Sequence, residues 1–376
     1  MARVRRSLLV LAVLLTSCTS EERDALHATT VAPPTAPPVD HRPPVMTFPS
    51  TTSTTSTTTT TTVPVAPPPA ATDPQGPSVS WPPYQPLPGV TGVAALTGLA
   101  VDDATAVLPI VAVKIDNTRA ARGQWGLDGA DVIFEENVEG ITRFIALFQS
   151  RMPAQVGPVR SARTGDLYLL SGMNRPALAW SGGNKNVTKW VESAAAAGRL
   201  VNLSALKVKC YYRSSTKAKP HNLVLDLYCA RNKTGDAGPA RPLWEFAPEG
   251  TLGTGTPTPA FDVDMLGVKV HWEWDPAQGY YVRYQDGAVH TTAGGVALTS
   301  TNVVIVSCEH IASPADGRSK VPVTVGTGRV VIHSGGMMRT GTWTRINDTD
   351  PWTFTADDGT PILLLPGTTF VELSRA

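Results

Sequence analysis

Hydrophobic and polar positions follow two rhythms along this 376-residue chain, and the change comes near residue 250. Between residues 89 and 247, short apolar runs bounded by turn residues predict strands at "PIVAVKID" (109–116), "ADVIFEE" (130–136) and "ITRFIALFQS" (141–150). Apolar residues three and four apart predict helices at "GDLYLLSGM" (165–173) and "VTKWVESAAAAGRL" (187–200). Strands interleaved with helices make residues 89–247 an α/β domain with a mixed, partly parallel sheet. Gly, Pro and Thr then break the pattern over a linker, residues 248–262. Beyond it "VKVHWEWD" (268–275), "YYVRYQDGAVH" (280–290), "TNVVIVSCEH" (301–310), "GRVVIHSGG" (328–336) and "PILLLPGTTFVEL" (361–373) read as strands. Residues 263–376 are therefore expected to form a small, mainly β domain of antiparallel strands.

Upstream of residue 89 neither rhythm is present. Residues 18–88 are dominated by Pro, Thr, Ser and Ala, including "TTSTTSTTTTTT" at 51–62. Such a segment has too little apolar area to offset its ordering entropy and is expected to be a disordered tether. Seventy residues of flexible coil span about 45–50 Å root-mean-square. The first residues combine Arg3, Arg5 and Arg6 with an apolar core from Leu8 to Leu15. That core is too short for a mature membrane span, so residues 1–17 read as a cleaved export signal. Leu15-Thr16-Ser17-Cys18 has the form of a bacterial lipobox, in which Cys18 is freed and acylated. The acyl chains would hold the chain on the outer face of the cytoplasmic membrane without crossing it.

Charge narrows the list of partners. Removing residues 1–17 takes away three arginines and no acids, leaving 29 basic against 31 acidic residues, a net charge of −2. A chain this close to neutral lacks the clustered basic excess of a nucleic-acid binder, and no nucleic-acid partner is expected. With Cys18 acylated, Cys210, Cys229 and Cys308 remain. Cys210 and Cys229 flank one segment and are candidates for a disulfide in an oxidising compartment, while Cys308 lies in an apolar strand.

Candidate chemistry concentrates in the first domain. "VGPVRSARTGDLYLL" sets Arg160 and Arg163 behind a Gly-Pro turn at the mouth of a helix expected to open at Thr164 or Gly165, with Thr164 as its cap. Guanidinium groups beside a helix N-terminus suit a phosphate or carboxylate. "FEENVEGITRF" places Glu135, Glu136 and Glu139 ahead of Arg143, so these residues make either an internal ion-pair network or a ligand site. "YYRSSTKAKPHNL" adds Arg213, His221 and Asn222, and "VKIDN" adds Asp116 and Asn117 at a strand end, where open α/β sheets bind ligands. Asp116, Glu135, Glu139 and His221 are the candidate acid-base groups. Arg143, Arg160, Arg163, Arg213, Asn117 and Asn222 are the candidate ligand-binding groups.

Other motifs carry less. Ser204/Lys207 and Ser214/Lys217 match S-x-x-K, and Lys233-Thr234-Gly235 matches K-T-G. The loop between Lys217 and Lys233 leaves no room for the helical domain that penicillin-binding enzymes place there, and no S-D-N is present. His271 and Glu273 alone make a poor metal site, so no metal or cofactor is expected. Alternating Trp272 and Trp274, together with Trp343, suit a core better than a sugar platform.

Taken together, "LTGLAVDD", "VAVKIDN", "GLDGADVIFEENVEGITRFIALFQS", "VGPVRSAR" and "YRSSTKAKPHNL" resemble the YerB-like family of lipoproteins. The resemblance implies an N-terminal and a C-terminal domain, both of unknown function, in a membrane-anchored envelope protein of Gram-positive type. It brings no established reaction. The expected role is binding or scaffolding of an anionic cell-envelope polymer or an envelope protein. The alternative is a hydrolase or transferase acting on a cell-wall glycopolymer through the Asp, Glu and His groups.

Overall fold

The computed structural model describes residues 81–375 apart from Arg318, so the export signal, Cys18 and most of the expected tether lie outside the described residues. The last residues assigned to the tether, 81–88, are docked on the domain rather than free. Trp81 packs edge-on against Trp190, and the Tyr84 hydroxyl donates to Asn174 at 2.9 Å. Two aromatic rings among the prolines supply the apolar area that the Thr-rich stretch lacks.

The first domain is built on strands β1 (Val111–Asp116), β2 (Val132–Val138) and β3 (Ile141–Phe148). Next come helix α1 (Thr164–Leu170), strand β4 (Ala177–Trp180), helix α2 (Lys185–Ala196) and strand β5 (Val201–Ser204). A two-residue turn joins β2 to β3, with Glu139 at φ 53° and Gly140 at φ 83°. Both values are left-handed, as a type I′ hairpin requires, but the first position rarely holds Glu. β1, β4 and β5 run parallel, with α2 crossing from β4 to β5. Asn184 caps α2 by accepting from the Val187 amide at 2.8 Å, and Val187, Trp190, Val191 and Ala194 form its buried stripe.

The second half supplies β6 (Ala260–Met265), β7 (Val268–Asp275) and β8 (Tyr280–Gln285), the heart of a five-stranded sheet. It also supplies β9 (Asn302–Cys308), β10 (Gly326–Ser334), β11 (Met337–Arg345), β12 (Thr353–Ala356) and β13 (Thr369–Arg375). Neighbouring strands in this half are mostly antiparallel. β13 is the exception: it inserts parallel to both β9 and β2. Through it the two halves share one eleven-stranded sheet, ordered β12-β11-β10-β9-β13-β2-β3-β1-β4-β5 with a short strand, Thr256–Pro257, on β11.

Each face of this sheet buries a separate core. Phe134, Ile145 and Leu147 meet Leu167, Leu170 and Trp190 of the helices on one side. On the other, Phe144 and Phe370 meet Trp272 and Tyr281 of the five-stranded sheet. Trp272 and Trp343 are interior residues, and the Trp343 indole donates to the Ser307 carbonyl at 3.0 Å. Cys210 and Cys229 form a disulfide, Cα to Cα 5.4 Å, that ties the strand Tyr211–Arg213 to the helix Leu227–Arg231. Cys308 is buried, and burial pushes its thiol up to about 12.

Two buried charge clusters pin these layers, and both start on β2. Glu135 faces the five-stranded sheet, where Arg283 donates to it at 2.6 Å and Asn117 at 3.1 Å. Arg283 also bonds Gln285 at 2.8 Å and His290, and His290 reaches Gln124 at 2.9 Å. Glu372 of β13 is the register partner of Glu135. Burial pushes the Glu372 carboxyl well above its usual range, and the neighbouring Glu135 charge pushes it further. Glu136 faces the helices, bonding Lys114, which also donates to Asp166 at 2.8 Å. Burial raises Glu136 to about 7 against the pull of Lys114, helped by Asp166.

Replacing Arg283 by Met leaves the buried Glu135 carboxylate without its cation and next to the Glu372 carboxyl. The expected loss is about 3–5 kcal/mol in urea denaturation, partly recovered by adding Glu372→Gln. A second prediction concerns pH. Folded Glu136 keeps its proton to about 7, whereas the unfolded residue releases it near 4.5. Stability contributed by this proton is complete below about 4.5 and is lost as pH rises through about 7. Glu136→Gln should flatten the fall in melting temperature across that window.

Candidate functional site

The carboxyl end of β1 meets the segment after β3 at a small polar junction. Residues 158–160 run beside β1, with the Asp116 amide donating to the Pro158 carbonyl and the Arg160 amide to the Lys114 carbonyl, both at 2.9 Å. The Ser181 amide, just past β4, donates to the Arg160 carbonyl at 2.9 Å. This backbone clamp sets Arg160 between the ends of the two parallel strands. Its guanidinium Nε lies 3.1 Å from the buried Asp116 carboxylate.

Asp116 gathers further partners. His221 Nδ1 is 2.7 Å from the same oxygen, and the Thr118 amide donates to the other at 3.0 Å. Burial alone would raise the Asp116 carboxyl, but the Thr118 and His221 hydrogen bonds and the Arg160 charge together hold it below the usual range. His221 remains partly exposed, with Nδ1 oriented by Asp116 and by the Thr118 hydroxyl at 3.2 Å.

On β3, Arg143 stands in register between Asp116 of β1 and Glu136 of β2. It is 5% exposed, and among the described residues its one hydrogen bond is a long one, 3.4 Å to the Ser161 carbonyl. Its Nε is buried with no acceptor among the described residues. Burial lowers the Arg143 guanidinium to about 10, helped by the positive charges of Arg163 and Arg160 and opposed by the Asp116 and Glu136 carboxylates. Arg163 is also buried. It donates to the Ala162 carbonyl at 3.1 Å, lies 3.6 Å from Glu139, and has an unpartnered Nε.

Ser161, Arg163 and Glu139 line a cleft of about 400 Å3 together with Gly183, Asn184 and Asp316. The sequence expectation located the relevant helix end at α1. The structure corrects that expectation: Arg163 is the N-cap of α1, and Asp166 occupies its N-terminus by accepting from the Arg163 amide at 2.8 Å. The helix end at the cleft is that of α2. Ser181-Gly182-Gly183-Asn184 leads into it from β4, a Gly-Gly-Asn signal legible in the sequence but passed over there.

The remaining candidates lie elsewhere. Glu135 and Asn117 belong to the sealed interior network with Arg283. Arg213 donates to Asn222 at 2.7 Å, and Asn222 donates to the Ser214 carbonyl at 3.0 Å, which braces the loop carrying His221. Lys207 pairs with Glu192 at 3.2 Å, and Lys217 bonds the Arg122 carbonyl over the Trp125 ring, so the S-x-x-K motifs form no common site. His271 bonds Asp262 at 2.8 Å and Glu273 at 3.2 Å at the surface. Among the described residues, no group of three or more His, Cys, Asp or Glu is placed to hold a metal ion.

Comparison with known proteins places this architecture. Residues 96–239 match the N-terminal domain, and residues 261–371 the C-terminal domain, of a protein family of unknown function, DUF3048. The chain is 28% identical over 302 residues to YerB of Bacillus subtilis, a candidate lipoprotein by its name, covering 74% of this chain and 85% of the relative. A crystal structure of the Bacillus subtilis YerB protein superposes with a TM-score of 0.64 at 27% identity, covering 74% of this chain and 95% of that one. Both domains are present in the same order on the same fold, and the chain belongs to the YerB-like, DUF3048 family.

Proposed function

We propose that this chain is an exported lipoprotein, acylated at Cys18, whose N-terminal domain binds an anionic component of the cell envelope in the cleft beside Arg143 and Arg163. The export signal, the lipobox and the name of the Bacillus subtilis relative support the anchored location on the outer face of the cytoplasmic membrane. The observation that carries the binding reading is Arg143. Arg143 is a buried guanidinium beside two others, with one long hydrogen bond and, among the described residues, no carboxylate within ion-pairing distance. The more distant Asp116 and Glu136 charges offset burial and its cationic neighbours only in part. An anion in the adjoining cleft supplies the missing charge.

A second reading rests on the 2.7 Å contact between His221 and Asp116. A carboxylate on Nδ1 leaves Nε2 available as a base toward water, the arrangement a hydrolase of an anionic glycopolymer needs. Glu135 contributes nothing to this reading, because it is closed off inside the protein.

Arg143→Met keeps much of the volume of the side chain and removes its buried charge. The variant of the mature chain should melt at the same temperature as the wild type or higher. It should also lose the rise in melting temperature that teichoic-type polymers, sugar phosphates or inorganic phosphate give the wild type. A variant that melts earlier, with no ligand shifting either protein, refutes the binding reading. For the second reading, His221→Gln should abolish product release from such a polymer while leaving the ligand-induced shift intact. If the wild type releases no product, that reading falls.

A further inference from the structure

The two segments that meet at His221 carry more positive charge than their neighbours neutralise. Residues 193–225 contain six lysines and arginines and no acid, and residues 117–127 contain two arginines and no acid. The structure brings part of each together. The Thr118 hydroxyl lies 3.2 Å from His221 Nδ1, and the Lys217 ammonium bonds the Arg122 carbonyl over the Trp125 ring. Residues 118–123 therefore abut residues 213–222, with the partly exposed His221 at the join. Arg160, also partly exposed, adjoins His221 on the same Asp116 oxygen.

Six cations meet two carboxylates here. Arg119, Arg122, Arg213, Lys217 and Lys219 belong to the two segments, and Arg160 borders them. Among the described residues, the acids in contact with them are the buried Asp116, shared by His221 and Arg160, and Asp286, which pairs with Arg122. Arg119, Arg213 and Lys219 are exposed with no carboxylate within ion-pairing distance, Arg213 donating instead to Asn222. The mature chain carries a net charge of −2, so this excess is local and sets up a positive field of its own.

What such a surface fits follows from the residues between the cations. Ala120, Ser215, Thr216, Ala218 and Pro220 give it no large apolar side chain to enter a bilayer. Neither segment has an aromatic residue other than His221 to stack on a base. An acidic polypeptide would have to immobilise the rotatable side chains that bear its carboxylates, which costs entropy at every contact. A chain whose charges are fixed to its backbone avoids that cost.

We propose that this surface docks a linear polymer with one negative charge fixed to the backbone of each repeat, held by charge rather than by a pocket. Two sources share this chemistry, a polyol-phosphate chain and a polyuronate chain. The site requires neither the cleft anion nor the His221 base of the readings above.

The test uses the mature chain with Cys18→Ser, so that no acyl group draws it to lipid, and measures affinity by calorimetry. Probes are poly(glycerol phosphate), polygalacturonate, glycerophosphoglycerol as a single repeat, polyglutamate, and vesicles containing phosphatidylglycerol. One of the two backbone-charged polymers is expected to bind at least about tenfold more tightly than the single repeat, because several charges engage at once. Raising salt from about 50 mM to about 200 mM should weaken it by at least about tenfold. The Arg119 and Lys219 side chains make no hydrogen bond or ion pair among the described residues. Arg119→Glu with Lys219→Glu should therefore fold, as circular dichroism would confirm, and lose at least about tenfold in polymer affinity. Arg119→Lys with Lys219→Arg should bind as the wild type does. The polymer should also shift the His221 ring resonances, assigned with His221→Gln.

Whichever polymer binds more tightly identifies the source. Equal or tighter binding of polyglutamate or of the vesicles overturns the backbone-charged assignment. Polymer binding that survives the double charge reversal but disappears with Arg143→Met belongs to the cleft, which overturns the surface site and supports the cleft reading. No polymer binding by the wild type overturns the surface site and leaves the cleft to its own small-anion test.

Discussion

The structure depends on neutralising two neighbouring carboxylates in the middle of its sheet. Glu135 and Glu136 sit side by side on β2, and strand alternation sends them to opposite faces. Each is fully or almost fully buried, and each meets a cation from another element, Arg283 for Glu135 and Lys114 for Glu136. Left unpaired, either charge would be too costly for the fold to bear. Arg283 can reach Glu135 only if β8 lies on that face. Asp166 can reach Lys114 only if α1 lies on the other. A single dipeptide therefore fixes which layer covers each side of the sheet.

The position of β13 follows from the same pairing. Its Glu372 stands opposite Glu135, and Trp272 of β7 donates to it at 3.3 Å. The strand that completes the second half thus enters the first half's sheet beside a charge cluster that already holds β8. The cleft inherits this placement. Ser313 bonds Thr164 at 2.9 Å, and the Asn186 side chain donates to the Ala315 carbonyl at 3.1 Å, so a loop from the second half closes one wall of a site otherwise built by the first.

Much of this was legible in the sequence, and the failures have physical causes. Apolar runs located β1, β2 and β3, because a strand buried on both faces needs little alternation. The arginines were visible as a group, and Arg143, Arg160 and Arg163 do share one region. The parallel entry of β13 was not visible, since the partner strand lies more than two hundred residues away and no local signal encodes such a pairing. Glu135 and Glu136 looked equivalent to the surface acid Glu139, because a buried charge is recognisable only once its partner is known. The helix end was misplaced for a related reason. Asp166, three residues into α1, reads equally well as a first-turn acid and as the group that fills that terminus.

The buried guanidinium groups of this protein differ in what holds them. Arg345 is 1% exposed and uses its donors on the carbonyls of Tyr168, Asp348 and Asp350. Arg231 does the same with the carbonyls of Pro109, Phe148 and Gln149. Arg283 has Glu135, Gln285 and His290. Arg231 and Arg283 each still leave a buried Nε without an acceptor among the described residues, as do Arg143 and Arg163. But Arg143 has only one long contact there, and Arg163 has the Ala162 carbonyl and a half-exposed Glu139. Desolvated charge that is only partly compensated costs stability. On the reading proposed above, a negative group in the cleft would offset part of this cost.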